Sequence, residues 1–154
     1  MRITSTLEDL TAGQAKRMLA GLPEADGFEV IVKSLRYRDT PHLAAMTDFL
    51  AETITLQVPI PFYPFGEIVP YGAKRRPGST NGRPRFIWLT EGITLQTPEE
   101  VLRFSYCHEW MHWWLKECRG TASAAETTCD RFALRNYRRD VVTEDHAVAA
   151  LRRR

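Results

Sequence analysis

A His-Glu-x-x-His pattern within an apolar stretch constrains this chain more than any other feature of its sequence. His108 and His112 are four residues apart, and Glu109 directly follows the first of them. In an α-helix, residues four apart lie on one face, one above the other. Two imidazole nitrogens can therefore bind one ion, and the Glu109 carboxylate can accept a proton from a water on that ion. This arrangement is typical of zinc enzymes.

The residues around this pattern predict a long, buried helix. Thr97, Pro98 and Glu100 form a helix-start signal of N-cap, first-turn proline and capping box, and Gly120 is predicted to end the helix. Apolar side chains occur on nearly every side of it, among them Val101, Leu102, Phe104, Trp110, Trp113 and Trp114. Such a helix is expected to lie in the core. The alternative is that both motif histidines are hydrogen-bonded core residues.

The composition is that of a globular protein. The chain has 154 residues, 44% of them hydrophobic and 26% charged, with a net charge of +2. This predicts one domain over 1–154, with a minimal motif core at about 85–139. The sequence has no apolar run long enough for a membrane span and no signal-peptide pattern. The chain has three cysteines, Cys107, Cys118 and Cys129, which cannot all pair with one another. They are expected as reduced thiols in the core, and reduced thiols predict a cytoplasmic protein.

Hydrophobic periodicity predicts further helices and strands. Helices are expected over 5–22, with a break near Thr11, from Thr40 to about residue 50, over 124–139, and after Thr143. Strands are expected over 28–35, 54–58, 67–73 and 85–90. The last strand directly precedes the motif helix and is a candidate edge for adding an extended peptide.

A basic, turn-rich segment at 74–84 joins the last two predicted strands. Its Pro-Gly and Asn-Gly dipeptides predict a long hairpin. Five cations cluster there, counting one just beyond it: Lys74, Arg75, Arg76, Arg83 and Arg85. Arg75, Arg76 and Arg83 are candidate contacts for nucleic acid or an acidic partner. A solvated loop tip is the alternative.

The helix predicted over 124–139 has two carboxylates on a face that otherwise looks buried. Glu126 and Asp130 share this face with small and apolar side chains, namely Cys129, Ala133 and Tyr137. Buried carboxylates are costly unless they are paired or bound to a metal. The conflict resolves if Glu126 is the third zinc ligand and Asp130 accepts a hydrogen bond from a ligand histidine. Salt bridges at the margin of this face are the alternative, and His146 is the reserve ligand.

The order His108-Glu109-x-x-His112, then Glu126-x-x-x-Asp130, resembles the gluzincin pattern of zinc metallopeptidases. The local string from Glu126 through Asp130 to Phe-Ala is similar to the ImmA/IrrE-type branch, and the resemblance covers about 97–139. SprT-like proteases share the small size and the strand-then-motif order. Their third ligand is a histidine, which the region after the motif does not supply.

This resemblance implies a compact α+β zincin-like fold. In it, a small, twisted, mostly antiparallel sheet packs on the motif helix, and a ligand helix follows. It also implies that one Zn²⁺ is bound by the two motif histidines and Glu126, and that Glu109 is the general base of an endopeptidase. The expected partner is a protein or peptide substrate. Candidate transition-state stabilisers are Tyr106, Tyr137 and His146.

Other functions remain open at this stage. One is a regulatory protein that binds zinc but cleaves slowly or only with a partner, because ImmA-like proteins are linked to repressors. Another is a nucleic-acid-associated protein whose basic hairpin makes the contacts. A third is a purely structural zinc site, in which case chelation would unfold the chain.

Overall fold

Apart from one helix between the first two strands, the described strands precede the described helices along the chain, and this segregation is typical of the α+β class. A computed structural model describes residues 1–36, 42–76, 85–121 and 125–152. In these ranges the elements are β1 (Arg2–Ser5), α1 (Ala12–Met18), β2 (Glu29–Leu35), β3 (Ala44–Asp48), β4 (Thr53–Pro59), β5 (Phe65–Arg75), β6 (Phe86–Leu95), α2 (Pro98–Trp113), α3 (Glu126–Asn136) and α4 (Glu144–Ala150). A π-helical turn, Trp114–Cys118, continues α2. The predicted α+β class is confirmed.

The strands form two separate sheets. The larger has the order β1-β2-β4-β3, in which β1–β2 and β2–β4 are parallel and β3–β4 is antiparallel. The smaller is the antiparallel hairpin of β5 and β6. The larger sheet is thus mixed, whereas a mostly antiparallel sheet was expected. The reason is that helix α1 connects β1 to β2, and a helical crossover returns the chain in the same direction.

The core forms between the larger sheet and the motif helix. Buried residues alternate along β2 and β4, so one face of the sheet is covered. Helix α2 contacts β3, β4 and α3 and is buried along most of its length, as its all-round apolar pattern predicts. The motif residues therefore lie on an element that is held on several sides.

A buried arginine of α2 joins the ends of two other helices. The Arg103 guanidinium donates to the carbonyl of Met18, the last residue of α1, at 2.8 Å and to that of Ala20, just beyond the helix, at 2.9 Å. It also donates to the carbonyl of Tyr137 at 2.8 Å and to that of Arg139, after α3. The last carbonyls of a helix lack partners within the helix and attract cations. Arg103 thus satisfies the C-terminal ends of α1 and α3 together.

The helix predicted over 5–22 is wrong in its first half. Arg2–Ser5 forms β1, and Ser5 pairs with Val32 of β2. Helix α1 begins only after Thr11, whose side chain forms a reciprocal capping box with Gln14. Local periodicity does not reveal β1, because its hydrogen-bond partners lie far along the chain.

The prediction of a helix from Thr40 to about residue 50 is also wrong. Thr40 itself lies outside the described ranges, but residues 42–50 are described. Ala44–Asp48 is instead strand β3, paired with β4. The expected apolar stripe does not form, because Met46 is exposed and Leu50 is 99% exposed. Pairing with β4 outweighs the helical spacing of these residues.

The remaining predicted elements are present. Strands β2, β4, β5 and β6 occupy the predicted stretches, and β5 and β6 each extend beyond them. The hairpin continues to the Arg76 amide, which donates to the Arg85 carbonyl at 2.7 Å, and its tip lies outside the described residues. Thr143 caps α4 as expected. No helix in the described ranges has the length and hydropathy to cross a bilayer.

The cysteines differ in their exposure, which gives a testable prediction. All are free, Cys107 and Cys129 are buried, and Cys118 is exposed, so its expected place in the core is wrong. Burial raises the pKa of the Cys107 thiol to about 12 and also raises that of Cys129. We expect a thiol reagent at mildly alkaline pH to label only Cys118 in the folded chain and every cysteine after unfolding. The Cys118→Ser variant should lose the fast reaction. Fast labelling of that variant would contradict the buried placement.

Candidate metal centre

Helix α2 brings the two motif histidines together. Thr97 caps it by accepting a hydrogen bond from the Glu100 amide at 3.2 Å, and Pro98 is in its first turn. The helix is unbroken through the motif, so His108 and His112 lie one turn apart on the same face. Their Nε2 atoms are 3.2 Å apart, and their ring centroids are 4.9 Å apart.

The first residue of α3 completes a group of three donors. Glu126 Oε2 lies 3.0 Å from His108 Nε2, and Glu126 Oε1 lies 3.0 Å from His112 Nε2. The donor atoms of these three residues all lie within 4.8 Å of one another. His108, His112 and Glu126 therefore form a group that could bind a metal ion.

The spacing of the donor atoms is compatible with their binding one shared metal ion. Two nitrogen ligands at zinc distances and a tetrahedral angle are about 3.4 Å apart, close to the separation of the two Nε2 atoms. The two imidazoles are largely buried, whereas the Glu126 side chain is 64% exposed. An ion held by these three donors would remain accessible from the solvent side.

Asp130 orients one of the two imidazoles. Its Oδ1 lies 2.8 Å from Nδ1 of His108. When the Nδ1–H group donates to this carboxylate, the lone pair of the neutral ring is on Nε2, which faces Glu126 and His112. Asp130 lies one turn after Glu126 on α3, so the same helix supplies a candidate ligand and its supporting carboxylate.

Opposing effects set the pKa of His108. Burial by itself lowers it, whereas the hydrogen bond to Asp130 and the negative charges of Glu109, Asp130 and Glu126 raise it, and the net result is a pKa above the ordinary value of 6.5. The protonated ring therefore stabilises the metal-free fold below about pH 6.5, and this contribution is lost as the pH rises through the raised pKa. Protonation of His108 also competes with metal binding.

Metal affinity is accordingly expected to fall as the pH decreases, beginning above the ordinary imidazole pKa of about 6.5. A competition titration with a chromophoric chelator across this range measures the effect. In Asp130→Asn the decrease in metal affinity should occur at lower pH, because the carboxylate that favours the protonated form of His108 has been removed. Its affinity at alkaline pH should decrease about 10- to 100-fold. An unchanged pH profile in this variant would contradict the assigned role of Asp130.

Glu109 lies in the same cleft and has its own hydrogen-bond partner. Its side chain is 7% exposed, and Oε2 accepts a hydrogen bond from the Thr47 hydroxyl at 2.7 Å. Thr47 is on β3, so the larger sheet holds the carboxylate that follows His108. This hydrogen bond restricts the Glu109 side chain, and Oε1 of the same carboxylate does not take part in it.

Strand β3 lines one side of a cleft of about 470 Å³ that contains the metal-binding group. Leu43, directly before β3, and four residues of β3 line the cleft together with α2 and α3 side chains; the β3 residues are Ala44, Ala45, Met46 and Thr47. β3 is the last strand of its sheet, and in the described part of the chain only β4 pairs with it. The edge strand beside the site is therefore β3, and the expectation that residues 86–90 provide it is wrong. Those residues belong to β6 in the separate hairpin.

The structure does not bring every candidate residue to the cleft. The described residues that line it include none of Tyr106, Tyr137 and His146. The Tyr106 hydroxyl donates to the Pro23 carbonyl at 2.7 Å, and the His146 Nδ1 accepts a hydrogen bond from the Thr143 amide at 3.0 Å. These contacts stabilise the fold away from the metal-binding group.

The basic candidates that the structure describes lie on the hairpin and do not line the cleft. Arg75 and Arg76 are exposed at the end of β5, and Arg83 lies outside the described residues. Sequence reasoning missed Thr47, because its region was predicted as a helix. It also missed Arg103, although a cation among Val101, Leu102 and Phe104 was a visible signal of a buried polar contact.

Comparisons with known proteins complete the description of this site. Comparisons with protein-family models, with curated proteins and with solved structures found no match to this chain. The chain's own geometry is therefore the basis for assigning a function. That geometry comprises two imidazoles and one carboxylate that could bind a metal ion, with the buried Glu109 carboxylate in the same cleft.

Proposed function

We propose that this chain is a zinc-dependent endopeptidase of the gluzincin type. The observation that supports it most is the convergence of His108, His112 and Glu126 within 4.8 Å, in a cleft that also contains Glu109. A structural zinc site needs four protein ligands, whereas a catalytic one needs three and an open position. Three donors, one of them largely exposed, fit the catalytic pattern.

The donor types favour zinc as the metal. Imidazole nitrogen suits zinc and its neighbours in the transition series, whereas magnesium and calcium prefer all-oxygen sites. Zinc, when bound here, supplies a Lewis acid that polarises a substrate carbonyl and lowers the pKa of a water molecule. Asp130 maintains the orientation of His108 for this role through its 2.8 Å contact with Nδ1.

Glu109 is the proposed general base. Its carboxylate would take a proton from the attacking water and deliver it to the leaving amine nitrogen. The Thr47 hydroxyl contacts the Glu109 main-chain carbonyl at 3.2 Å and, of the two carboxylate oxygens, Oε2 at 2.7 Å, which leaves Oε1 for this transfer. A restricted carboxylate loses little freedom when the substrate is in place.

The proposed substrate is an extended segment of a protein or peptide. An edge strand can add a peptide through main-chain hydrogen bonds, and β3, the edge strand of its sheet in the described part of the chain, lines the cleft that contains the metal-binding group. The cleft is open and is lined in part by small side chains such as Ala44 and Ala45. We therefore expect recognition of backbone more than of one particular side chain.

The proposed compartment is the cytoplasm. The cysteines Cys107, Cys118 and Cys129 are all free thiols. Free thiols are stable where the redox potential is reducing. Recovery of the protein with oxidised cysteines from its native source would contradict this assignment.

The first experiment measures zinc per chain in purified variants. Wild type is expected to hold about one zinc, and His112→Ala and Glu126→Ala are expected to lose most of it, because each removes a ligand. His146→Ala should keep its zinc, since that imidazole caps α4 away from the cleft. Mass spectrometry of the metal content, with circular dichroism to verify folding, provides the measurement.

The outcomes separate the alternatives. Zinc loss in His146→Ala but not in Glu126→Ala would show that His146, and not Glu126, is the third ligand. A folded wild type that binds no zinc would refute the metal site. Hydrolysis of an unstructured protein such as casein, abolished by a chelator and restored by zinc, is expected of an endopeptidase. If the zinc-loaded protein cleaves nothing until a partner protein is added, the partner-dependent alternative replaces constitutive activity.

A further inference from the structure

The β5–β6 hairpin presents two exposed aromatic rings on one face. Phe86 and Trp88 of β6 are 56% and 59% exposed. They are two residues apart in a strand, so they lie on the same face of the hairpin, about 6.7 Å apart along it. Their partners on β5 are Arg75 and Ala73. Because Ala73 is small, no bulky cross-strand neighbour covers the indole of Trp88.

The same end of the hairpin is strongly basic. From Tyr71 to Thr90 the sequence contains five cations and no acidic residue. The four cations within the described residues are all exposed: Lys74, Arg75, Arg76 and Arg85. The Arg76 amide donates to the Arg85 carbonyl at 2.7 Å, so strand pairing brings these two residues side by side. The aromatic face is thus bordered by concentrated positive charge.

We propose that this face of the β5–β6 hairpin binds single-stranded nucleic acid, with Phe86 and Trp88 stacking on bases and the neighbouring cations contacting phosphates. Proteins that bind single strands combine a basic surface with aromatic side chains on which bases stack. Charge complementarity with the phosphate backbone provides attraction that does not depend on sequence.

The spacing of the rings favours a single strand over a duplex. Stacked bases within one strand of B-DNA are about 3.4 Å apart, roughly half the separation of the two side-chain positions. Each ring can stack on its own base only if the bases are separated from each other. An acidic protein would bind the cations without requiring exposed planar rings, and competition by phosphatidylserine vesicles distinguishes a membrane surface from nucleic acid.

This inference goes beyond the proposed peptidase function and does not depend on it. The described residues that line the metal cleft belong to α2, α3, β3 and the positions flanking β3, and none of them belongs to the described part of the hairpin. The Glu109→Gln variant is therefore expected to bind nucleic acid as wild type does. Failure of either proposal leaves the other intact.

The test uses fluorescence anisotropy of labelled oligothymidylate at low salt with the full chain. We expect binding that weakens as salt increases, and weaker binding of the matching duplex. Arg75→Glu with Arg76→Glu should reduce affinity about tenfold or more, because two phosphate contacts become repulsive. Trp88→Ala should reduce it by roughly tenfold through loss of stacking. The matched controls are Lys33→Glu and Leu50→Ala, which change an exposed cation and an exposed apolar residue elsewhere.

Tryptophan fluorescence gives an independent readout. Trp88 is exposed, whereas the other tryptophans of the chain, Trp110, Trp113 and Trp114, are buried. Quenching on addition of oligothymidylate should therefore report on Trp88, and Trp88→Phe should remove it while retaining most of the affinity. The proposal is overturned if wild type does not bind, if the hairpin variants bind as well as the controls, or if Trp88 is not quenched. It is also overturned if polyglutamate or phosphatidylserine vesicles compete as effectively as the oligonucleotide.

Discussion

Replacing Glu109 by Gln should reduce the rate of peptide hydrolysis about 10²- to 10⁴-fold while leaving the zinc content unchanged. Glutamine keeps the size of the side chain, and its amide oxygen can still accept the hydrogen bond from the Thr47 hydroxyl. It cannot take a proton from water at neutral pH. The loss should therefore appear in kcat, measured on an unstructured protein substrate, with no change in folding stability beyond experimental error.

A matched control is available on the same helix. Glu99 is an exposed glutamate in the first turn of α2, so Glu99→Gln should retain wild-type activity. Thr47→Val should lower kcat less than Glu109→Gln, because the carboxylate remains but loses the hydrogen bond that positions it. Activity in Glu109→Gln equal to wild type would exclude Glu109 as the base, whatever the metal content.

The largest expected effect on stability follows from Arg103→Ala. This change removes four hydrogen bonds from a charged donor and leaves the carbonyls after α1 and α3 without their partner. We expect the free energy of unfolding to decrease by about 4 kcal/mol, since unsatisfied buried groups cost about 1–3 kcal/mol each and water can recover part of this. Urea denaturation of the metal-free protein measures it.

Companion variants test the reason for this loss. Arg103→Lys keeps the charge but replaces a planar fork by one ammonium group, so it should recover about half of the lost stability. Arg138 forms an exposed ion pair with Glu100, and Arg138→Ala should cost only about 0–1 kcal/mol. If Arg103→Ala were as stable as Arg138→Ala, the carbonyls would have to be satisfied by solvent, and the proposed connection between helices would be wrong.

The motif helix was predictable because its signals are local. Its cap, its apolar pattern and the four-residue spacing of the histidines are all set by bonds within one helix. The placement of Glu126 and Asp130 near the histidines was also expected, because two carboxylates on an otherwise apolar face required a partner. Asp130 lies 2.8 Å from His108, and both Glu126 oxygens lie 3.0 Å from a motif imidazole.

The regions predicted incorrectly are those whose structure depends on pairing with distant parts of the chain. Strands β1 and β3 were both assigned to helices, because a strand's hydrogen bonds are made to another part of the chain. The spacing of apolar residues near Met46 suggested a helix, and only pairing with β4 shows otherwise. The same dependence explains why Thr47 was missed, since its contact with Glu109 spans 62 positions in sequence.

The sequence by itself determined the α+β class, the motif helix and the identity of the candidate metal ligands. The motif helix and the spacing of its histidines are local properties, whereas the α+β class is what the family resemblance implies and Glu126 is indicated by two carboxylates on an otherwise apolar helix face. The tertiary structure alone decided that β3 lines the cleft, that Thr47 holds Glu109, and that Arg103 joins two helix ends. Each of these depends on which distant backbone groups meet when the sheet assembles, and no local pattern in the chain encodes that pairing.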